Sequence, residues 1–335
     1  MSSEEIIRAE SLKLFDQAGF ASALEKPPTL KYYENWLSEG FHVEMSYLVR
    51  HLEKKGNPEL LLQGAKSWIS LILNYDTKEP LSIELQDEFK KDKKGWIARY
   101  ARGLDYHAEI KERHNKLIAN LNRHFPHERF LGTVDTQAVL ERDVATRAGL
   151  GWIGKNTCLI NQEIGSFVFI SEILTTMGLE ADKPVMDHCG TCSRCIDACP
   201  TGALIEPRKL DATRCISYWT IESKIPAPPT LASKFGAHVF GCDICQDVCP
   251  WNKKARRSNK GKNMLSESHD NEIRNLEYLS GKIDLKDLVM KNNSDINLML
   301  HQKALSRTKA DHFRSSVEVA LQNIASSEIC CSTRF

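Results

Sequence analysis

The apolar positions along this chain follow two periods. Ile6, Ile7, Leu12 and Phe15 recur at helical spacing behind Ser2 and Ser3, either of which can cap, and behind Glu4 and Glu5, which suit a helix N-terminus; a helix is expected over residues 3–18. Ile110, Leu117, Leu121 and Phe125 form one stripe that stops before Pro126, predicting a helix over 105–125. Residues 138–148 carry a shorter helical pattern, and Phe313, Val317, Leu321 and Ile324 mark a last amphipathic helix. The other period belongs to strands. The run over residues 67–75 has the length of a buried strand, 130–134 reads as a short strand delivering Asp135 at its end, and 166–170 reads as a third. Strands alternating with helices over short connections indicate an α/β or α+β first domain of about 180 residues.

Composition adds little to that picture except size and sign. The chain has 335 residues, an apolar fraction of 41% and a net charge of +1, so it is globular, has roughly two domains, and can meet a nucleic acid only through a local patch. No apolar run approaches the ~18 residues that span a bilayer. Residues 1–5 are acidic and lead into no apolar signal segment, so a cytoplasmic, reducing setting is expected. Lys253, Lys254, Arg256, Arg257, Lys260 and Lys262 crowd one stretch. Such a run is ordinarily a solvated loop, but this one follows directly on the cysteines described next, where it could steer a polyanion by phosphate contacts. Lys90, Lys91, Lys93 and Lys94 read as solvated.

The chemistry lies in the cysteines. Eight of the eleven fall between residues 189 and 249, as Cys189-x2-Cys192-x2-Cys195-x3-Cys199-Pro200, a lone Cys215, and Cys242-x2-Cys245-x3-Cys249-Pro250. In two-cluster ferredoxins three closely spaced thiolates grip one cubane and the cysteine before proline ligates the other. That rule assigns Cys189, Cys192, Cys195 and Cys249 to one [4Fe–4S] cluster, and Cys199, Cys215, Cys242 and Cys245 to a second. All eight thiolates are used. Structural zinc is the blander reading, but it needs neither a third cysteine two residues on nor a Cys-Pro closing each run. Cys158 reads as a small buried hydrophobe, and Cys330 and Cys331 have no ligand spacing. Gly149-x-Gly151-x-x-Gly154 mimics a dinucleotide fingerprint but follows a helical pattern, not a strand. Asp135, taken alone, is most simply a strand-end aspartate capping the helix at 138.

Longer segments carry a resemblance. Residues 100–107 (YARGLDYH), Val134-Asp135-Thr136, Glu141-Arg142-Asp143 running into residues 148–157 (AGLGWIGKNT), residues 199–203, 214–222 and 240–252 together resemble the epoxyqueuosine reductase family, from about residue 3 to 325. The resemblance implies an α+β chain: a nitroreductase-like cobalamin-binding domain over 1–180, joined to a ferredoxin-like two-cluster module over 181–258, with a short helical C-terminal region over 259–335. It implies cobalamin beside two [4Fe–4S] clusters, a tRNA carrying epoxyqueuosine as substrate, an external low-potential electron donor, and a monomer without membrane attachment. It further implies Asp135 as the proton donor to the expelled epoxide oxygen, held in an apolar, cofactor-covered pocket so that it keeps its proton. Cobalamin contacts would come from Asp135, Gly154, Lys155, Asn156, Thr157 and Ser217, substrate contacts from Tyr106 and His107, and tRNA contacts from Lys253, Lys254, Arg256 and Arg257. Two departures stand out: Lys55 where the family usually has arginine, and a shortened end near Phe313–Asn323, which resembles the start of a helical repeat. The rival readings are a reductive dehalogenase-like enzyme and a non-catalytic iron–sulfur electron-transfer subunit.

Overall fold

The computed structural model describes residues 1–77, 79–258, 280–301 and 303–332, with side chains omitted beyond 326. Lys260 and Lys262 therefore lie outside the described residues, as do the side chains of Cys330 and Cys331. The chain divides by contact into two compact units, each built from several stretches. The division by chemistry into 1–180, 181–258 and 259–335 follows the sequence; the division by contact does not.

The first unit comprises residues 1–76, 107–192 and 250–264. Its opening helix, Ser3–Leu12, starts at a capping box in which Ser2 Oγ accepts from Glu5 N–H while Glu5 returns a bond to Ser2 N–H. It stops six residues short of the expected 18, because the next residues enter a strand, Gln17–Ser22. That strand pairs antiparallel with Ser67–Asn74, which pairs antiparallel with Val168–Thr175, which pairs antiparallel with Phe130–Thr133. Every residue of Ser67–Asn74 is buried, including the polar Ser67, Ser70 and Asn74, and the strand has neighbours on both edges. Behind the sheet, helix Tyr106–His124 presents Ile110, His114, Leu117 and Leu121 inward. His114 bonds Ser171 Oγ at 3.0 Å, and a Cβ at Gly132 would lie 2.6 Å from His114 Nδ1, so only glycine lets the ring pass. The helix expected over 138–148 is shorter, Glu141–Arg147, since Val139 N–H turns back to Gln137 O.

The second unit comprises 77–106, 193–249 and 265–335. A three-stranded sheet orders His238–Phe240, Lys94–Ile97 and Lys282–Asp284, parallel on one side and antiparallel on the other. Phe89, Trp96, Val239, Phe240 and Leu285 form a core with Phe313, Val317, Ala320 and Ile324 of the last helix, Ala310–Ser332. The C-terminal region is thus part of this core, and its stripe is as expected. Lys94, read as solvated, opens a strand and pairs with Asp284 at 3.4 Å. Two buried aspartates tie the second cysteine run to this core. Asp243 accepts from Trp96 Nε1 at 3.0 Å and Arg99 N–H at 2.9 Å, and Asp247 accepts from the backbone N–H of Ser82 at 2.9 Å and its hydroxyl at 2.5 Å. A mixed α+β fold is therefore observed.

Candidate functional site

The cysteines are held in short helical turns: Arg194–Asp197 carries Cys195, and Ile244–Asp247 carries Cys245. Cys158 and the eight motif cysteines are thiols, none in a disulfide. Within the second unit, Cys199, Cys215 and Cys242 act on one another electrostatically. Burial pushes the Cys242 thiol well up, with Cys215, Asp243 and Cys199 adding to it; burial also pushes Cys215 up, with Cys199 adding. Burial of Cys199 acts the same way but is outweighed by donors from Thr201, Leu204 and Ala203, leaving its thiol lowered. Ser217 bonds Cys215 and begins a π-helical turn, Tyr218–Glu222, whose Thr220 hydroxyl accepts from Gly241 N–H at 2.9 Å next to Cys242. No group of three or more His, Cys, Asp and Glu side chains among the described residues is arranged to hold a single metal ion.

In the first unit, Cys189 and Cys192 share a turn, with Cys192 N–H bonded to Cys189 O at 3.1 Å. Trp152 Nε1–H donates to Cys189 Sγ at 3.4 Å, and its ring meets His188 and Trp251 edge-on, each at 5.1 Å. Lys155 Nζ donates to Gly190 O at 2.7 Å. Lys155 belongs to the hairpin tip between strands Trp152–Ile153 and Leu159–Ile160, together with Gly154, Asn156 and Thr157. Asn156 is buried and accepts from Cys158 N–H at 3.3 Å, so its amide serves the hairpin. Cys158 is half-buried, less enclosed than the sequence suggests. Thr157 is left-handed (φ 68°), and its carbonyl accepts from Arg142 at 2.6 Å.

Arg142 leads to the carboxylate cluster. Asp135 follows strand Phe130–Thr133 and is also left-handed (φ 48°), with Thr136 N–H bonded back to Val134 O at 2.5 Å. His107 Nε2 lies 3.1 Å from Asp135 Oδ2, and the aspartate side chain is 57% exposed. It caps no helix: the one downstream begins at Glu141, with Leu140 at its cap and no side-chain bond there. Instead, the Asp135 N–H donates to Glu141 Oε1. Burial, then the charge of Asp135, pushes Glu141 up to about 7. Glu172, fully buried on the adjacent strand, is pushed well up by burial and by Glu141; Thr133 Oγ1 lies 3.4 Å from its Oε2, and its Oε1 has no hydrogen-bond partner among the described residues. Lys55 Nζ donates to Val139 O at 3.2 Å and lies over Tyr33; burial lowers its proton affinity while Glu141 supports it. Sequence reasoning gave no role to Glu141 or Glu172. The strand expected over 166–170 is observed as Val168–Thr175, and this extension is what takes Glu172 into the sheet.

Other expected residues are placed differently. Tyr106 packs edge-on against Tyr100 in the second unit, while His107 alone meets Asp135. Helix Pro250–Ser258 carries the four basic residues. Lys253, Lys254 and Arg257 are exposed, Lys254 over the Trp251 ring, whereas Arg256 is paired with Asp76 at 2.9 Å.

Residues 188–252 match a family model described as a 4Fe-4S double cluster binding domain, and residues 55–136 match one described as epoxyqueuosine reductase QueG, DUF1730. An epoxyqueuosine reductase of Leadbetterella byssophila is 43% identical over 245 residues, covering 72% of this chain and 77% of the relative. A crystal structure of epoxyqueuosine reductase with an epoxyqueuosine-modified tRNA-Tyr stem loop superposes with TM-score 0.78 at 30% identity, covering 97% of this chain and 82% of that one. A structure of the Bacillus subtilis enzyme with its catalytic aspartate loop swung out of the active site gives TM-score 0.78 at 29% identity, covering 98% and 83%.

Proposed function

The chain belongs to the epoxyqueuosine reductase family, and we propose from that premise that it reduces epoxyqueuosine in tRNA to queuosine. The observation that carries this is the 0.78 superposition on a relative holding the modified tRNA stem loop, over nearly the whole chain. Dehalogenation and bare electron transfer are not favoured against it.

Opening an epoxide to an alkene takes two electrons and two protons and releases water. The matched double-cluster segment identifies the electron carriers as [4Fe–4S]. We assign Cys189, Cys192, Cys195 and Cys249 to one and Cys199, Cys215, Cys242 and Cys245 to the other; the mutual repulsion of Cys199, Cys215 and Cys242 supports the second set. An external low-potential donor would supply the electrons.

Cobalamin is the proposed partner of the first unit, taken as a nitroreductase-like domain. When bound, it supplies a low-valent cobalt reductant. The residues present fit such a group in part. Asp135 and the Thr157 tip are tied to one helix turn through Glu141 and Arg142, whereas Asn156 and Lys155 are engaged with Cys158 and Gly190. At Gly154 a Cβ would meet Ile160 and Asn156, so that glycine serves the packing of the hairpin, and Ser217 is proposed to lie toward the second cluster.

Asp135 is assigned as the acid that protonates the expelled oxygen, with His107 fixing its carboxyl at 3.1 Å. Tyr106 and His107 remain the proposed substrate contacts. Its loop is proposed to move between engaged and withdrawn positions, as in the Bacillus subtilis relative. Lys253, Lys254 and Arg257 are offered for phosphate contact, with Arg256 steadied by Asp76. We take the protein to work as a monomer in the cytoplasm; no described helix is long and apolar enough to cross a membrane.

The test is anaerobic incubation with cobalamin, a strong reductant and epoxyqueuosine-containing tRNA, followed by nucleoside mass analysis. Loss of one oxygen from the modified nucleoside is the expected result. A colourless protein carrying zinc instead of iron would overturn the assignment.

A further inference from the structure

Outside glycine the left-handed region costs about 1–2 kcal/mol, least for Asn and Asp, and local partners help to hold a residue there. Asp135 sits at φ 48°, in a three-residue turn closed by Thr136 N–H on Val134 O. The Asp135 carboxyl is 57% exposed and lies 3.1 Å from His107 Nε2. The Asp135 backbone N–H donates to Glu141 Oε1, and Glu141 is the first residue of helix Glu141–Arg147, a rigid support packed against the sheet. The same helix turn holds the hairpin tip, through Arg142 on Thr157 O.

We propose that Glu141 is the positioning residue of the reaction: its carboxylate latches the strained Asp135 turn, presenting the acid to substrate, and loss of that bond lets the turn relax and the acid withdraw. This rests on the reading of Asp135 as proton donor. Four titratable or charged groups face the latch. Asp135 and Glu172 disfavour its ionisation when they are themselves ionised, while Lys55 and Arg142 favour it. With Glu141 pushed up to about 7, the acceptor changes from neutral carboxyl to carboxylate across the neutral range, and a carboxylate is the stronger acceptor. The latch therefore tightens as pH rises through that range.

E141A and E141Q test this in the reconstituted holoprotein. The glutamine variant keeps an oxygen acceptor for the Asp135 N–H; the alanine variant does not. Hydrogen exchange over residues 130–140 is the readout independent of turnover. The Asp135 amide should exchange about 10- to 100-fold faster in E141A, the factor for a hydrogen bond to a charged acceptor, and near the wild-type rate in E141Q. In E141A, kcat should fall by a similar factor with KM for tRNA and iron content unchanged, and E141Q should recover most of it. The ratio of wild-type to E141Q rate should fall as pH drops below 7. Unchanged Asp135 exchange in E141A overturns the latch. So does an E141Q rate as low as that of E141A, or a change confined to KM. A wild-type protein that leaves the nucleoside unreduced would instead remove the proposed function, whatever the exchange shows. Protection of strand Val168–Thr175 reports that each variant is folded.

Discussion

Replacing Trp152 by phenylalanine isolates one hydrogen bond to one expected cluster ligand. The indole is 2% exposed and donates to Cys189 Sγ at 3.4 Å, while its ring is wedged between His188 and Trp251 at 5.1 Å from each. Phenylalanine keeps an aromatic ring in that wedge and removes the donor. A donor to a cluster thiolate favours the more negative, reduced state, so its loss should lower the reduction potential. A hydrogen bond of this kind contributes about 0.5–1.5 kcal/mol net. At about 59 mV per tenfold change for one electron, that range corresponds to about 20–60 mV if the whole bond energy differs between redox states. The 3.4 Å length and the spreading of one added electron over four irons both argue for the lower end. The assay is a potentiometric titration followed by electron paramagnetic resonance on anaerobically reconstituted protein. One cluster should move down, and the one assigned to Cys199, Cys215, Cys242 and Cys245 should stay put. An upward shift, equal movement of both, or no shift beyond a few millivolts would refute the reasoning.

The remaining predictions concern single groups. Asp135→Asn should retain iron and lose about 10²- to 10⁴-fold in turnover, measured by nucleoside mass analysis. Cys215→Ala should lose one cluster only, read as half the iron. His114 is buried, and burial holds its proton affinity down at about 4, below the 6.5 of the unfolded chain. Its contribution is therefore present above pH 6.5 and lost as pH falls toward 4, about 3 kcal/mol in all, so H114N should show a flatter loss of urea midpoint on acidification. Glu172 has the opposite sign: burial raises it, so it favours the folded state below the usual carboxylate range and opposes it as pH rises. Glu172→Gln should raise the urea midpoint at pH 8 and leave it nearly unchanged at pH 4.

What could be read from the residues, and what could not, divides along physical lines. Ser67–Asn74 was legible because a strand buried on both faces is rich in large apolar residues, here Trp68, Ile69, Leu71, Ile72 and Leu73. The cysteines were legible because cluster ligation constrains spacing along the chain itself. Gln17–Ser22 was not, since only Phe20 among its inner positions is large: Ala18, Gly19 and Ala21 are small, and a Cβ at Gly19 would strike the Ala148 carbonyl. Lys94–Ile97 was hidden in a lysine run for a similar reason, Gly95 lying where Leu285 and Val239 leave no room for a Cβ. At the site, resemblance pointed to Asp135, and the structure supplied what resemblance does not encode. Glu141 looks like an ordinary first-turn acid favoured by the helix dipole, and Glu172 like one polar residue in a strand. Neither local pattern tells how deeply tertiary packing will bury a carboxyl, and burial makes these two groups titrate far from their usual range. The chemistry of such a site therefore resides in groups whose sequence context is ordinary, and a search confined to motifs will find the acid while missing what holds it in place.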